Sequence, residues 1–222
     1  MKNDIYIKRL CAWAPGIESS NDWDEWASGK KEISSSEKGP DISFTEPMFR
    51  RRLSQISRMT IQVAHDLMPL DNAKIFFFSF RGELSRQYQV NKMLIEENTL
   101  SPAAFSLSVF NAPVALATMA LGLKGGYSAI YPQNNSFSTC LEIANAALLG
   151  GTEDEIAFIY ADEKAQPEYD CFFNGGSPAA LSFGLFLSKN DKNNTALPPP
   201  DINETPDSYL KKLLAGGMHV SP

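Results

Sequence analysis

The sequence predicts an α/β fold: a mixed, mostly parallel five-stranded sheet with helices on both faces. Three observations carry that expectation. Short apolar runs rich in β-branched and aromatic residues recur along the chain, each bounded by Gly, Pro or polar residues. Stretches of helical period separate them, and strands that alternate with helices imply parallel pairing through right-handed crossovers. Finally, 222 residues of which 43% are hydrophobic suffice for one substantial core.

Taken in order, IYIKRLCAW (5–13) reads as a first strand closed by Pro15-Gly16, and DWDEWASGKK (22–31) as a short helix or turn. Its Trp23 and Trp26 are expected to anchor a surface loop. Residues 34–47 carry Ser, Gly and Pro without a period and read as loop. From Met48 to Leu67 the residues Leu53, Ile56, Met59, Val63 and Leu67 recur at near-helical spacing, so one amphipathic helix is expected there. Its basic start, Arg50-Arg51-Arg52, suits either a solvated face or a grip on a phosphate or acidic partner.

KIFFFSF (74–80) has the continuous apolar character of a buried central strand, and a polar-faced helix should follow from Gly82 to Glu97. Residues 103–123 are apolar nearly all round and rich in small side chains, which predicts a helix covered on several sides. YSAIY (127–131) is the next strand. A turn of Pro132, Gln133, Asn134 and Asn135 leads into a helix over 136–149, with Phe137, Cys140, Leu141, Ala144 and Leu148 on one stripe. EIAFIYADE and the end of CFFNGGSPAALSFGLFLSK are the last two strands. Beyond Lys189 the composition turns to Asn, Asp and a Pro198-Pro199-Pro200 run before SYLKKLLAGG, so 1–188 is expected as the domain and 189–222 as a flexible or peripheral tail.

Charge and composition exclude several functions. A net charge of −6 offers no basic field to a phosphate backbone, so nucleic-acid binding is not expected. The opening MKNDIYIKRL lacks the apolar run of a signal peptide, and no stretch reaches a membrane-spanning length; a cytoplasmic location without a membrane span is expected. Cys11, Cys140 and Cys171 are odd in number and far apart, which suits reduced thiols, with Cys140 simplest as a core residue. His65 and His219 have no neighbouring ligand pattern, so neither metal nor cofactor is expected. No phosphate-binding glycine loop and no GxSxG elbow occur.

Several segments, in order and spacing, resemble the amino-terminal half of beta-ketoacyl synthases, of thiolase fold: IYIKRLCAWAPGI, RRRLSQISRM, LSPAAFSLSVFNAP, LGLKGGYSAIY and LEIANAALLGG. The likeness runs over roughly residues 3–188. In active members the strand after the glycine turn leads to an elbow with a cysteine at a helix amino terminus, where backbone N–H groups and the helix dipole favour a thiolate and an oxyanion. The resemblance puts Asn134, or Gln133 if the turn slips by one, at that position, and neither amide forms an acyl thioester. The family's catalytic histidines and lysine belong to a carboxy-terminal half without counterpart here.

What the resemblance then implies is a non-catalytic, chain-length-factor-like subunit, similar to half-length versions in aryl polyene biosynthesis. Such a subunit pairs with an active beta-ketoacyl synthase as a heterodimer, meets the acyl carrier protein through the complex and helps shape the acyl tunnel in fatty acid or polyketide-type synthesis. The same resemblance places Tyr127, Ser128, Ala129, Ile130 and Tyr131 at the dimer interface. It places Val109, Phe110, Ala112, Pro113 and Leu116 at the tunnel lining. Gln133 also leaves open a carrier-protein thioester decarboxylase or hydrolase, and a free-standing acyl-binding module is a further alternative.

Overall fold

The computed structural model describes residues 5–70, 72–133, 136–173, 177–189, 191 and 193–221. The chain opens with β1 (Ile5–Trp13), α1 (Ser20–Ala27), α2 (Pro47–Arg50) and α3 (Gln55–Asp66). Next come β2 (Lys74–Phe78), α4 (Leu84–Glu97), α5 (Pro102–Ser106), α6 (Ala112–Leu121) and β3 (Tyr127–Ile130). It continues through α7 (Phe137–Leu149), β4 (Glu155–Asp162), β5 (Leu181–Lys189), β6 (Thr195–Ala196) and α8 (Pro206–Ala215).

These strands form one sheet in the order β3-β2-β4-β5-β1-β6. Only β2 pairs in parallel, with β3 on one side (Ile75↔Tyr127) and β4 on the other (Ile75↔Ala157). The pairs β4–β5, β5–β1 and β1–β6 are antiparallel. The sheet is therefore α/β as expected, but six-stranded and mostly antiparallel, which corrects the mostly parallel five-stranded reading. The cause lies between β4 and β5. A parallel return usually carries a helix, whereas among its described residues this connection contains only a short 3-10 turn, Pro167–Phe172.

Two other boundaries differ from the expected ones for visible reasons. The helix anticipated over 48–67 is two helices, because Ser54 leaves helical geometry (φ −69°, ψ 170°) and caps α3 by accepting from the Ser57 N–H. The long apolar stretch over 103–123 breaks between α5 and α6, and Pro113 in the first turn of α6 has no N–H to continue an earlier helix.

The sheet carries a core on each face. On one, Phe76, Phe78, Phe158, Tyr160 and Phe183 meet Phe137, Cys140, Leu141 and Ala144 of α7, the two tryptophans of α1, and α8. On the other, Ile75, Phe77, Ile159 and Ala157 meet α3 and α6 through Ile56, Met59, Val63, Val114 and Ala117. Central β4 feeds both faces alternately, so its run of apolar residues needs no period of two. Trp23 and Trp26, expected to anchor a surface loop, are 4% and 5% exposed and meet edge to face at 5.5 Å.

The segment beyond Lys189, expected to be flexible or peripheral, contributes β6 beside β1 and buries Tyr209, Leu210, Leu213 and Leu214 of α8 in the first core. A capping box between Thr205 and Ser208 starts α8, and the Tyr209 hydroxyl donates to the Pro198 carbonyl at 2.8 Å. Each such side chain removed from water stabilises by about 1.5–3 kcal/mol before entropy is counted.

Candidate functional site

The three parallel strands β3, β2 and β4 end on the same side of the sheet, and the segments that leave their carboxyl ends build the candidate site. In open α/β sheets that is where ligands bind. A cavity of about 1070 Å³ opens there, walled by Phe80, Tyr131, Tyr160, Tyr169, Phe172 and Phe173. Arg81, Lys31 and Lys211 place cations on its lining, and Trp26 and Pro206 close it from α1 and α8.

Under the cavity floor, Asp162 at the end of β4 is wholly buried. Its carboxylate accepts from the Ser79 hydroxyl at 2.6 Å, the Phe80 and Arg81 amides at 3.1 and 3.0 Å, and the Tyr160 hydroxyl at 2.5 Å. The Arg81 Nε lies 3.6 Å away, with a nearly buried side chain. A buried charge so supplied with donors is held firmly, and it fixes the bend after β2. Gly82 completes that bend at φ +56°, where an added Cβ would collide with the Phe110 ring.

Beside this network lie two further buried carboxylates. Glu83 Oε1 accepts from the Ser54 and Ser57 hydroxyls at 2.7 and 2.6 Å, and its Oε2 lies 3.1 Å from Arg86 Nε without hydrogen-bond alignment. Glu163 Oε2 caps α3 by accepting from the Ile56 amide at 3.1 Å, while its Oε1 accepts nothing among the described residues. Burial raises the Glu83 carboxyl to about 7, and the nearby Glu163 adds to the rise. Glu163 is raised too, again mainly by burial. The sequence reading missed Asp162, Glu83 and Glu163. Asp162 closes β4, Glu163 follows it, and Glu83 lies five residues past the end of β2.

At the elbow after β3, Tyr131 is exposed, Pro132 is buried and Gln133 is exposed, its carbonyl accepting from the Ser136 amide at 3.2 Å. Asn134, the other residue expected at the nucleophile position, lies outside the described residues. Ser136 and Ser138 exchange a hydroxyl contact at 2.8 Å as α7 begins. Cys140 lies on the core face of α7, where burial pushes its thiol up to about 12. His65 stacks on Phe44 at 4.0 Å between ring centroids, and neither it nor the exposed His219 lines the cavity. Among the described residues no group of three His, Cys, Asp or Glu side chains is gathered to hold a metal, and no helix is long and apolar enough to cross a membrane.

The strand that feeds the elbow is the edge of the sheet. Among the described residues β3 pairs with β2 alone, and Tyr127, Ser128, Ala129 and Ile130 are all half-buried. The Asn111 side-chain amide donates to the Tyr127 hydroxyl at 3.0 Å, and the Phe110 and Tyr131 rings lie 6.3 Å apart, edge to face. Thus the structure gathers Phe110, Tyr127 and Tyr131, with Val109 exposed beside them. Ala112 and Pro113 are covered by the chain's own atoms, and Leu116 turns to a separate groove on the outer side of α6.

Comparison with known proteins matches this arrangement to a family. A model of the beta-ketoacyl synthase N-terminal domain matches residues 23–213. No curated protein matches the chain. Among solved structures, the chain is similar to the ketosynthase ApeO in complex with its chain length factor ApeC from Xenorhabdus doucetiae, with TM-score 0.72 and 24% identity. That match covers 83% of this chain and 79% of the other. The ishigamide ketosynthase/chain length factor gives TM-score 0.64 at 13% identity, over 88% of this chain and 64% of that one. The type II polyketide ketosynthase AntDE, in complex with the acyl-carrier protein AntF, gives 0.63 at 12%, over 86% and 64%. The chain therefore spans less than two thirds of the latter two. At these identities the structural likeness establishes the fold, and the family model, spanning most of the chain, assigns the protein to the beta-ketoacyl synthase N-terminal domain family.

Proposed function

We propose that this protein is a non-catalytic, chain-length-factor-like subunit that pairs with an active beta-ketoacyl synthase in polyketide-type synthesis, aryl polyene synthesis being the case its sequence most resembles. The observation that carries the reading is the open edge of β3. A flat, half-exposed strand edge presents a row of unpaired N–H and C=O groups, and a chain that leaves one in water invites a partner strand. The first structural relative supports the choice of partner, being a ketosynthase held by its chain length factor, with a matched chain only slightly longer than this one.

The chemistry of the elbow supports the non-catalytic part. Acyl transfer by this family needs a thiolate at the elbow and a group to take or stabilise charge. At the described positions stand an amide, two serine hydroxyls with no neighbouring base, and a thiol that burial holds neutral at physiological pH.

Co-expression with the ketosynthase encoded nearest to it should give a one-to-one heterodimer by size exclusion and mass measurement. Ala129→Lys, which sets a charge in the middle of the edge, should abolish that pairing while leaving the circular dichroism of the chain unchanged. A soluble monomer that ignores the synthase, or steady release of carbon dioxide from malonyl-carrier protein by this chain alone, would overturn the proposal.

A further inference from the structure

The cavity of about 1070 Å³ at the carboxyl ends of β2 and β4 is walled by rings from separate parts of the chain: Phe80 after β2, Tyr160 in β4, Tyr169 and Phe172 in the 3-10 turn, and Trp26 in α1. Phe80 and Tyr160 meet edge to face at 5.6 Å, and Tyr169 and Phe172 lie 6.3 Å apart. These walls are tied to a fixed floor. The Arg81 side chain, its Nε 3.6 Å from buried Asp162, donates through Nη1 to the Ser177 hydroxyl at 2.9 Å and the Pro178 carbonyl at 3.3 Å. From α4, the Tyr88 hydroxyl donates to Glu168 at 2.8 Å and holds the 3-10 turn. A cavity so braced is preformed, and its size suits a small organic molecule.

The charges on the lining select the sign of an occupant. Arg81 is matched by Asp162, and the Lys31 Nζ by Asp22 at 2.5 Å. Of the acids there, Asp207 accepts from the Thr205 hydroxyl at 2.5 Å, and Glu32 is exposed. Lys211 differs from all of these. It is half-buried, its Nζ lies 4.7 Å from the centroid of the Trp26 ring, and no carboxylate among the described residues pairs with it. The Arg81 guanidinium likewise lies 5.9 Å from the Phe173 centroid. Two ring faces are thus already taken by the chain's own cations, so a cationic guest would meet like charge and an anionic one opposite charge.

We infer that this cavity binds a small aromatic carboxylate, its planar body among Phe80, Tyr160, Tyr169 and Phe172 and its anionic group on Lys211. A flat π system gains from edge and face contacts with rings beyond what its buried area supplies. A flexible alkyl chain lacks that gain and loses rotamer freedom on binding. Helix α8 is built to present the cation: Tyr209, Leu210, Leu213 and Leu214 bury one face in the core, and Lys211 is left on the cavity lining. The assignment stands apart from strand pairing and from the residues expected at the acyl tunnel, since no residue of α5, α6 or β3 lines the cavity.

Equilibrium dialysis of the full-length chain against 2-naphthoate, its neutral analogue 2-naphthamide and the aliphatic decanoate, each at the same sub-saturating concentration, tests this. Naphthoate should bind with a Kd of about 1 mM or tighter, the level a probe of its size reaches at ordinary ligand efficiency. It should also be bound about five-fold or more over either of the other two. Lys211→Gln should bring naphthoate down to the level of naphthamide and leave naphthamide unchanged, which also shows that the variant is folded; Lys211→Arg should keep the preference. Phe172→Ala, which removes a ring that is 77% exposed, should lower both aromatic probes. No binding of naphthoate, equal binding of naphthoate with decanoate or with naphthamide, or a Lys211→Gln variant that keeps the preference overturns the proposal. Binding is read with no synthase present, so its outcome is separate from that of the pairing experiment.

Discussion

Glu83 is a buried acid whose protonation couples to folding. Its carboxyl rises from 4.5 to about 7 because burial removes the water that would solvate the charge, with Glu163 adding repulsion and the Ser57 and Ser54 hydroxyls offsetting part of it. Between these two values the folded chain keeps the proton and the unfolded chain gives it up. Stability therefore falls as pH climbs from 4.5 to about 7 and levels off above. The whole effect amounts to about 3 kcal/mol at most. Glu83→Gln keeps an acceptor for both serines and removes the titration. Urea unfolding from about pH 5 to about pH 8 should show the variant gaining on the parent chain as pH rises. A gain that shrinks with pH would mean that the carboxylate is stabilised by Arg86 rather than penalised by burial. Asp162 is as deeply buried, and its four hydrogen-bond donors, with Arg81 adjacent, lock the bend between β2 and α4.

The placement of β3 depends on a glycine. At Gly125 an added Cβ would overlap the carbonyl oxygens of Ala73 and Asn72, which belong to the backbone and have no rotamer to yield. Gly125→Ala should therefore push β3 away from β2, costing on the order of 1–3 kcal/mol and reducing heterodimer yield further than an equal loss of stability elsewhere. Gly126→Ala is the control: no atom lies within 4 Å, and only its φ of +76° is strained. If both variants lower stability and pairing alike, the close approach at Gly125 does not position the edge. The strands themselves were legible in the sequence, because β-branched and aromatic runs such as KIFFF and EIAFIYAD have few other fates. Their directions were not, since direction turns on whether residues 163–180 cross over, and one 3-10 turn decides that. The succession of β3 and α7 was legible from the order of segments. The acidic network was not, because polar residues at strand ends look like loop until the fold buries them. Nor was the docking of α8, whose short amphipathic stripe does not say what it packs on.

The two ends of the sheet differ in a way that bears on assembly. At one end β6 is only two residues long and exposed, so the edge is blunted; at the other β3 is open along its length. Edge-to-edge pairing through β3 would bring the neighbouring Val109, Phe110 and Tyr131 up to the partner. Within that group only some residues are available to act on a partner's tunnel. Ala112 and Pro113 are covered by this chain, and Leu116 lies on the groove outside α6, so any influence from them runs through the position of α6. Val109 is different, being 39% exposed beside the half-buried Phe110. A chain-length role therefore makes a definite demand. Val109→Trp adds bulk without disturbing the core, so the heterodimer should form normally while the products shorten. Forcing extra carbons against a filled wall costs on the order of 1–3 kcal/mol, enough to change a length distribution about ten-fold. Mass spectrometry of the products made by the intact complex reads the outcome. An unchanged distribution from Val109→Trp and Phe110→Trp alike, in complexes shown to be intact, would leave this subunit a pairing partner with no hand in product length.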